Sequence, residues 1–160
     1  MAERGEIYAV LVSLASDTLL LPNAAVAEVI SADNIDPPSP GSPPWLAGRA
    51  SYNNRQLSVV RFETLNGSTP SEDTRRTRLA VIQPLTGQLR TGQYAIVCQG
   101  YPHLVTLNRT ALKKEELVST DNEDLVLTRV SIANTNALVP NLEAIEQLLA
   151  PLEGGPVLSA

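Results

Sequence analysis

A proline-rich stretch is the feature that most limits how this chain can fold. Five prolines fall within eight residues, at Pro37, Pro38, Pro40, Pro43 and Pro44. Proline fixes φ, lacks an amide hydrogen and pushes the preceding residue out of the α region, so this segment cannot be helical. We expect an extended surface arm from Ile35 that docks through Trp45, Leu46 and Gly48. A turn at Asn53-Asn54 and a strand over 57–65 should follow.

Short apolar runs dominate the rest of the chain and predict β-strands. The runs are Ile7–Leu14, Thr18–Leu21, Leu79–Ile82, Tyr94–Gln99, Leu104–Leu107, Leu125–Ile132 and Ala137–Val139. Most are apolar on both faces, as in closed barrels where little of the sheet faces water. The sequence therefore predicts a mostly-β fold of about nine or ten short strands.

Two segments indicate helix. Residues 23–30 predict a short helix or irregular turn, although Val26, Val29 and Ile30 also suit a bent strand. Near the C-terminus, Asn141 can cap a helix that Pro151 ends. Its apolar positions share one face at the helical period: Leu142, Ile145, Leu148 and Leu149.

Polar segments indicate the domain organisation. Residues 66–78 contain one proline and no other apolar side chain. This polar segment predicts a solvated loop at the boundary between two lobes. Residues 111–118 carry paired lysines and glutamates and predict a surface segment. We expect a single domain over residues 6–150, followed by a flexible tail over 151–160.

Composition and charge exclude several functional classes. The net charge of −5 makes the chain a poor electrostatic match for a phosphate backbone, so we do not expect nucleic acid binding. The apolar run of residues 7–14 is too short to span a bilayer and lacks a preceding basic segment. A cytoplasmic protein without membrane insertion is expected.

Residues that could carry chemistry do not form a convincing catalytic or metal site. The chain has one cysteine, Cys98, and one histidine, His103, too few for a zinc site. A buried structural cysteine and a surface histidine are the better interpretation. Gly87 and Gly92 have phosphate-loop spacing, but Gln93 and Tyr94 follow where lysine and serine or threonine are needed. We expect no enzyme activity, cofactor or metal.

An ordered set of small motifs resembles the CheW-like chemotaxis adaptor family. Its pieces are Val26, Glu28, Val29 and Ile30, then Ile35 with Pro37 or Pro38, then Pro43, Pro44, Trp45, Leu46 and Gly48, then Leu57, Val59, Val60 and Phe62. The resemblance implies two SH3-like five-stranded barrels packed together over one apolar seam, with the C-terminal helix closing it. It also implies a partner-binding site at Val26, Glu28, Val29, Gly48, Tyr52, Asn53 and Asn54.

Three parts of the sequence depart from the family pattern. The family turn usually reads N-x-R-G, whereas this chain has Ser51, Tyr52, Asn53 and Asn54, unless Arg55 replaces the missing arginine with a shift of one residue. Arg61 and Ser58 stand where the family has aspartate and proline. These departures indicate a divergent member, such as those of type IV pilus chemosensory systems.

The resemblance implies a non-catalytic adaptor that couples a CheA-type histidine kinase to chemoreceptors or related partners. A stand-alone β-barrel module that binds a peptide or a small molecule is the alternative. The PxxP spacing of the arm also matches ligands of aromatic grooves, although Trp45 favours docking on its own domain. From the residues alone Val26 and Val29 could be packing positions, whereas the resemblance makes Val26 the exposed centre of the partner site.

Overall fold

The computed structural model describes residues 7–33, 35–67, 75–84, 92–107, 112–115, 122–132 and 135–153. The strands in these ranges are β1 (Ile7–Ser13), β2 (Thr18–Pro22), β3 (Val26–Ser31), β4 (Ile35–Asp36), β5 (Leu46–Tyr52), β6 (Arg55–Val60), β7 (Thr77–Ile82), β8 (Tyr94–Gln99), β9 (His103–Leu107), β10 (Leu112–Glu115), β11 (Val126–Ile132) and β12 (Thr135–Pro140). The helices are α1 (Phe62–Leu65) and α2 (Leu142–Leu149), with single 3₁₀ turns at Asn23–Ala25 and Ala150–Glu153.

The strands form two six-stranded sheets. The first sheet has the order β10-β11-β12-β2-β1-β9, and the second has the order β3-β7-β8-β6-β5-β4. Most neighbouring strands are antiparallel; β12 beside β2 and β6 beside β8 are parallel. The second sheet is one continuous stretch of chain inserted between β2 and β9, so the two sheets do not correspond to the two halves of the sequence.

Three apolar clusters explain why so many strands are apolar on both faces. The largest, the shared core, lies between the sheets. Its buried residues are Val10, Val12, Leu14, Leu19, Leu21, Ala25, Val60, Phe62, Ala80, Ile82, Tyr94, Ile96, Cys98, Leu125, Val126, Leu138, Leu142, Ile145, Leu149 and Ala150. The first sheet encloses a smaller interior of Ala9, Leu20, Leu107, Val130, Ile132 and Ala137. The second sheet encloses another, of Ala47, Ala50, Val59, Leu79, Ala95 and Val97.

Strand β8 shows how the sequence builds this arrangement. Tyr94, Ile96 and Cys98 contact the shared core, whereas Ala95 and Val97 contact the interior of the second sheet. Because successive side chains of a strand point to opposite faces, small and large residues can alternate between the two clusters. A strand buried on both faces therefore needs no polar face, as the sequence indicated.

Several predicted elements are confirmed. The hairpin β1–β2, the strands β7, β8, β9, β11 and β12 and the asparagine-capped helix α2 all form. The Asn141 side chain accepts a 3.1 Å hydrogen bond from the amide of Ala144, which satisfies one of the unpaired N–H groups at the start of α2. Trp45 is half-buried and packs against the shared core, as expected for the anchor of the arm.

Other predictions are wrong in part. The strand expected over 57–65 ends at Val60, because the chain turns at Arg61 into α1. Residues 23–30 are a 3₁₀ turn only as far as Ala25 and then β3, where pairing with β7 overrides local helix propensity. The prediction of a surface segment over 111–118 is not contradicted, and this segment contains β10, which pairs with β11.

The boundary and termini also differ from expectation. Both strands that flank the loop 66–78, β6 and β7, lie in the second sheet, and residues 77–78 already belong to β7. The chain instead changes sheet between β2 and β3 and between β8 and β9. Leu148 is exposed although it was placed on the apolar face of α2. The expected tail begins with the 3₁₀ turn at Ala150–Glu153, and its residues 154–160 lie outside the described ranges.

No helix in the described ranges has both the length and the apolar character needed to cross a membrane.

Candidate functional site

A bulge in β3 decides which of the predicted site residues face outward. The register with β7 shifts between Val26 and Glu28, so one extra residue lies on the β3 side. A bulge of this kind resets the alternation of side chains along the strand. Val26 and Val29 therefore both pack against the shared core, while Ile30 packs against the interior of the second sheet. Glu28 is exposed on the same side as Ile30.

The expectation that Val26 is an exposed centre of the site is therefore wrong. Val26 and Val29 are half-buried and contribute to packing, which agrees with the interpretation made from the residues alone. A substitution at Val26 changes folding and surface together. Of the three predicted site residues in β3, Glu28 is the exposed one.

The turn between β5 and β6 forms as predicted and presents Asn53 and Asn54 to solvent. Both residues have positive φ, 50° and 66°, the left-handed conformation that asparagine tolerates better than most residues. Tyr52 and Arg55 pair directly across the turn. Arg55 approaches Gly92, because one of its guanidinium nitrogens lies 3.2 Å from where a methyl group on Gly92 would be. Arg55 therefore turns toward the segment that leads into β8.

Gly48 has a different role from the exposed residues. It is buried at a bulge in β5 and has a φ of 137°. A methyl group added there would lie 1.9 Å from the backbone oxygen of Asp36 in β4. Only glycine lets the proline arm approach β5 this closely, because any side chain would collide with its backbone. Gly48 thus positions the arm and does not itself offer surface to a partner.

An open groove brings several of the predicted site residues together. It lies between β3 and the end of β5, has a volume of about 410 Å³, and is lined by Glu28, Ile30, Ser31, Ala50, Ser51, Tyr52 and Asn53. Glu28, Tyr52 and Asn53 were predicted from the resemblance. The sequence prediction missed the other four lining residues, Ile30, Ser31, Ala50 and Ser51. Because side chains two apart in a strand share a face, Glu28 could have indicated Ile30, and Tyr52 could have indicated Ala50.

One hydrogen bond spans this groove. The Tyr52 hydroxyl donates to Oε1 of Glu28 at 2.9 Å, linking the end of β5 to the edge strand β3. This hydrogen bond is the main reason why the pKa of Tyr52 is raised above its usual value of 10.0, with smaller contributions from desolvation and from the negative charge of Glu28. The carboxylate favours the protonated phenol because only that form can donate.

A larger cleft, of about 580 Å³, lies beside the turn that joins β1 to β2. The carboxylates here have structural partners. Asp17 forms a bidentate ion pair with Arg129, at 2.8 and 3.1 Å. Glu63, buried in α1, accepts hydrogen bonds from the backbone amides of Ala15 and Ser16 at 2.9 and 2.7 Å. These contacts fix the turn against α1 and β11.

Cys98 and His103 lie apart in the fold. Cys98 is buried in β8 against the shared core, and burial raises the pKa of its thiol to about 12. His103 is exposed at the start of β9 in the other sheet. Within the ranges that the structure describes, no three histidine, cysteine, aspartate or glutamate side chains are placed to hold a metal ion. Gly87, whose spacing to Gly92 resembles that of a phosphate loop, lies outside the described residues.

Comparison with known proteins decides the family. The family model for the CheW-like domain matches residues 9–149. The chain belongs to the CheW-like domain family. Among solved structures, the fold is similar to the scaffolding protein TtCheW from Thermoanaerobacter tengcongensis, with a TM-score of 0.72 and 14% identity over 88% of this chain and 87% of that chain. No curated protein sequence matches the chain.

This match confirms the predicted CheW-like fold of two SH3-like barrels, here formed by six-stranded sheets rather than five-stranded ones. The additional strands include the two-residue β4 and β10, neither of which the apolar pattern indicated. Membership of the CheW-like family supports a scaffolding role in chemotaxis signalling rather than catalysis.

Proposed function

We propose that this protein is a non-catalytic adaptor that couples a CheA-type histidine kinase to the cytoplasmic tip of a chemoreceptor or to a related signalling protein. The family match over residues 9–149 is the observation that carries this proposal. In this role the protein acts in the cytoplasm as a single domain, in a chemosensory pathway such as that of type IV pili.

The groove between β3 and β5 is the proposed partner site. Its rim offers the exposed Glu28 and the turn residues Asn53 and Asn54, held by a two-residue turn and by the Tyr52–Glu28 hydrogen bond. Rigid exposed groups bind at a lower entropic cost than mobile ones, because less side-chain and loop freedom is lost. Gly48 contributes by holding the proline arm on β5, the strand that ends in this turn.

The features of the groove favour a protein partner over a small molecule. Five of its seven lining residues carry polar side chains, whereas sites for small molecules are mostly apolar and enclose their ligand. An extended protein surface can use such a polar rim together with neighbouring apolar contacts. A stand-alone module that binds a small molecule is therefore the less well supported function.

Co-sedimentation tests the coupling function. Vesicles that carry receptor cytoplasmic fragments are mixed with the CheA-type kinase from the same genome, with and without this protein. We expect the kinase to sediment with the vesicles only when the adaptor is present. Equal sedimentation of the kinase without the adaptor, or no recovery of the adaptor with either partner, would contradict the proposal.

A further inference from the structure

Three of the four outer edges of the two sheets carry features that prevent pairing with another strand. In the second sheet, β4 has only two residues before Pro37 and Pro38, and β3 contains a bulge and the charged Glu28. In the first sheet, β10 includes Lys113, Lys114 and Glu115. Short strands, prolines, bulges and charges all discourage edge-to-edge association.

The fourth edge, β9, lacks these features. Among the described strands it pairs only with β1, and its sequence, HLVTL, contains no proline, lysine, arginine, aspartate or glutamate. His103, Leu104 and Thr106 are exposed, and Leu104 is 63% exposed. Its N–H and C=O groups on the side away from β1 have no strand partner in the part of the chain that the structure describes. Such an edge is a template for another strand.

An exposed tyrosine lies next to this edge. Tyr8 of β1 pairs with Thr106 and is 61% exposed, while Leu104 pairs with Val10 two positions further along. Paired residues share a face of the sheet, so Tyr8, Leu104 and Thr106 all lie on one face. This face therefore presents an apolar strip directly beside an unpaired edge.

We propose that β9 pairs antiparallel with β9 of a second copy of this chain and so joins the two first sheets. With Val105 on the two-fold axis, Leu104 of one copy lies opposite Thr106 of the other, one strand away from Tyr8. His103 lies opposite Leu107, so no like charges face each other, and the uncharged strand is its own complement. The pairing joins the edge strands of the two copies and leaves Tyr8 beside Thr106 on the same face. It uses the first sheet and leaves the groove of the second sheet open.

Sedimentation equilibrium across a wide range of protein concentration tests this pairing. We expect the wild type to form a dimer at high concentration. Leu104→Lys and Thr106→Lys should each weaken the dimer by about tenfold or more, because each places a lysine on the joined edges. Leu127→Lys is the matched control, since Leu127 is 60% exposed but lies on β11, and it should dimerise like the wild type.

Thermal melting of each variant shows whether it is folded, and Thr106→Lys provides the test if Leu104→Lys does not fold. A wild type that stays monomeric at every concentration would overturn the proposal. So would a dimer that both lysine variants leave intact, or a β9 edge that binds only a different protein.

Discussion

The hydroxyl of Tyr52 donates a 2.9 Å hydrogen bond to Glu28 and connects the end of β5 to the edge strand β3. The two residues are 24 positions apart in the chain and belong to opposite sides of the second sheet's order. Their contact lies across the groove that we propose as the partner site, so it can be followed both by its titration and by its effect on binding.

The Tyr52–Glu28 contact predicts a pH effect. Because the pKa of Tyr52 is raised in the folded protein, the contact stabilises the fold fully below pH 10, and this contribution is lost as the pH rises through the folded-state pKa. Glu28→Ala should lower the pKa of Tyr52 toward its ordinary value. Ultraviolet titration of tyrosinate, with Tyr52→Phe subtracted, measures this change, and an unchanged Tyr52 titration in Glu28→Ala would contradict the prediction.

Gly48→Ala should separate the proline arm from β5. The added methyl group would lie 1.9 Å from the backbone oxygen of Asp36, and the positive φ adds strain, so we expect a loss of about 2–4 kcal/mol in the free energy of unfolding. Gly41→Ala is the matched control, because Gly41 also has a positive φ, 89°, but nothing within 4 Å of the added methyl. It should cost only about 1 kcal/mol. Urea unfolding of both variants compares them, and equal losses would show that the close approach of β4 has no cost.

Glu63→Ala should destabilise the turn between β1 and β2. The substitution removes the carboxylate that accepts from the amides of Ala15 and Ser16, and hydrogen bonds to a charged group contribute about 1.5–3 kcal/mol. Glu123→Ala, at an exposed position, should change stability by about 0.5 kcal/mol or less. Chemical unfolding measures both, and a Glu63→Ala protein as stable as Glu123→Ala would show that the turn does not depend on this carboxylate.

Cys98 should be unreactive in the folded protein. Its pKa of about 12 keeps the thiol protonated at neutral pH, and the thiolate is the reactive form. The raised pKa also means that burial of the neutral thiol stabilises the fold fully below pH 9, with loss as the pH rises toward 12. A thiol reagent at pH 8 should label Cys98 only after denaturation. Rapid labelling of the native protein, or metal that is retained by the wild type and lost in Cys98→Ala or His103→Ala, would contradict a purely structural cysteine.

The periodicity of the sequence was sufficient for most strands and for α2, because their side chains alternate between clusters that local patterns reveal. Strand β8 is the clearest example, with Tyr94, Ile96 and Cys98 on one face and Ala95 and Val97 on the other. The association of strands into sheets was not predictable in the same way. Strands β6 and β7 belong to the same sheet because of contacts between residues that are distant in the sequence. The polar loop between these strands carries no sign of those contacts and therefore falsely indicated a lobe boundary.

The site was only partly predictable because a bulge separates its residues. The motif containing Val26, Glu28 and Val29 does not reveal the register shift that turns both valines to the shared core and leaves Glu28 outside. The role of Gly48 likewise depends on Asp36, which a linear pattern cannot place beside it. The turn at Asn53 and Asn54 was predictable, since positive φ at two successive residues is a local property of asparagine.

Calorimetric titration of the CheA-type kinase with wild type and two charge-reversal variants tests the central claim most directly. Glu28→Arg changes an exposed residue of the groove, and Glu143→Arg changes an exposed residue of α2. We expect the wild type to bind, Glu28→Arg to bind about tenfold or more weakly, and Glu143→Arg to bind like the wild type. A folded Glu28→Arg protein that binds the kinase as tightly as the wild type would contradict the assignment of this groove as the partner site.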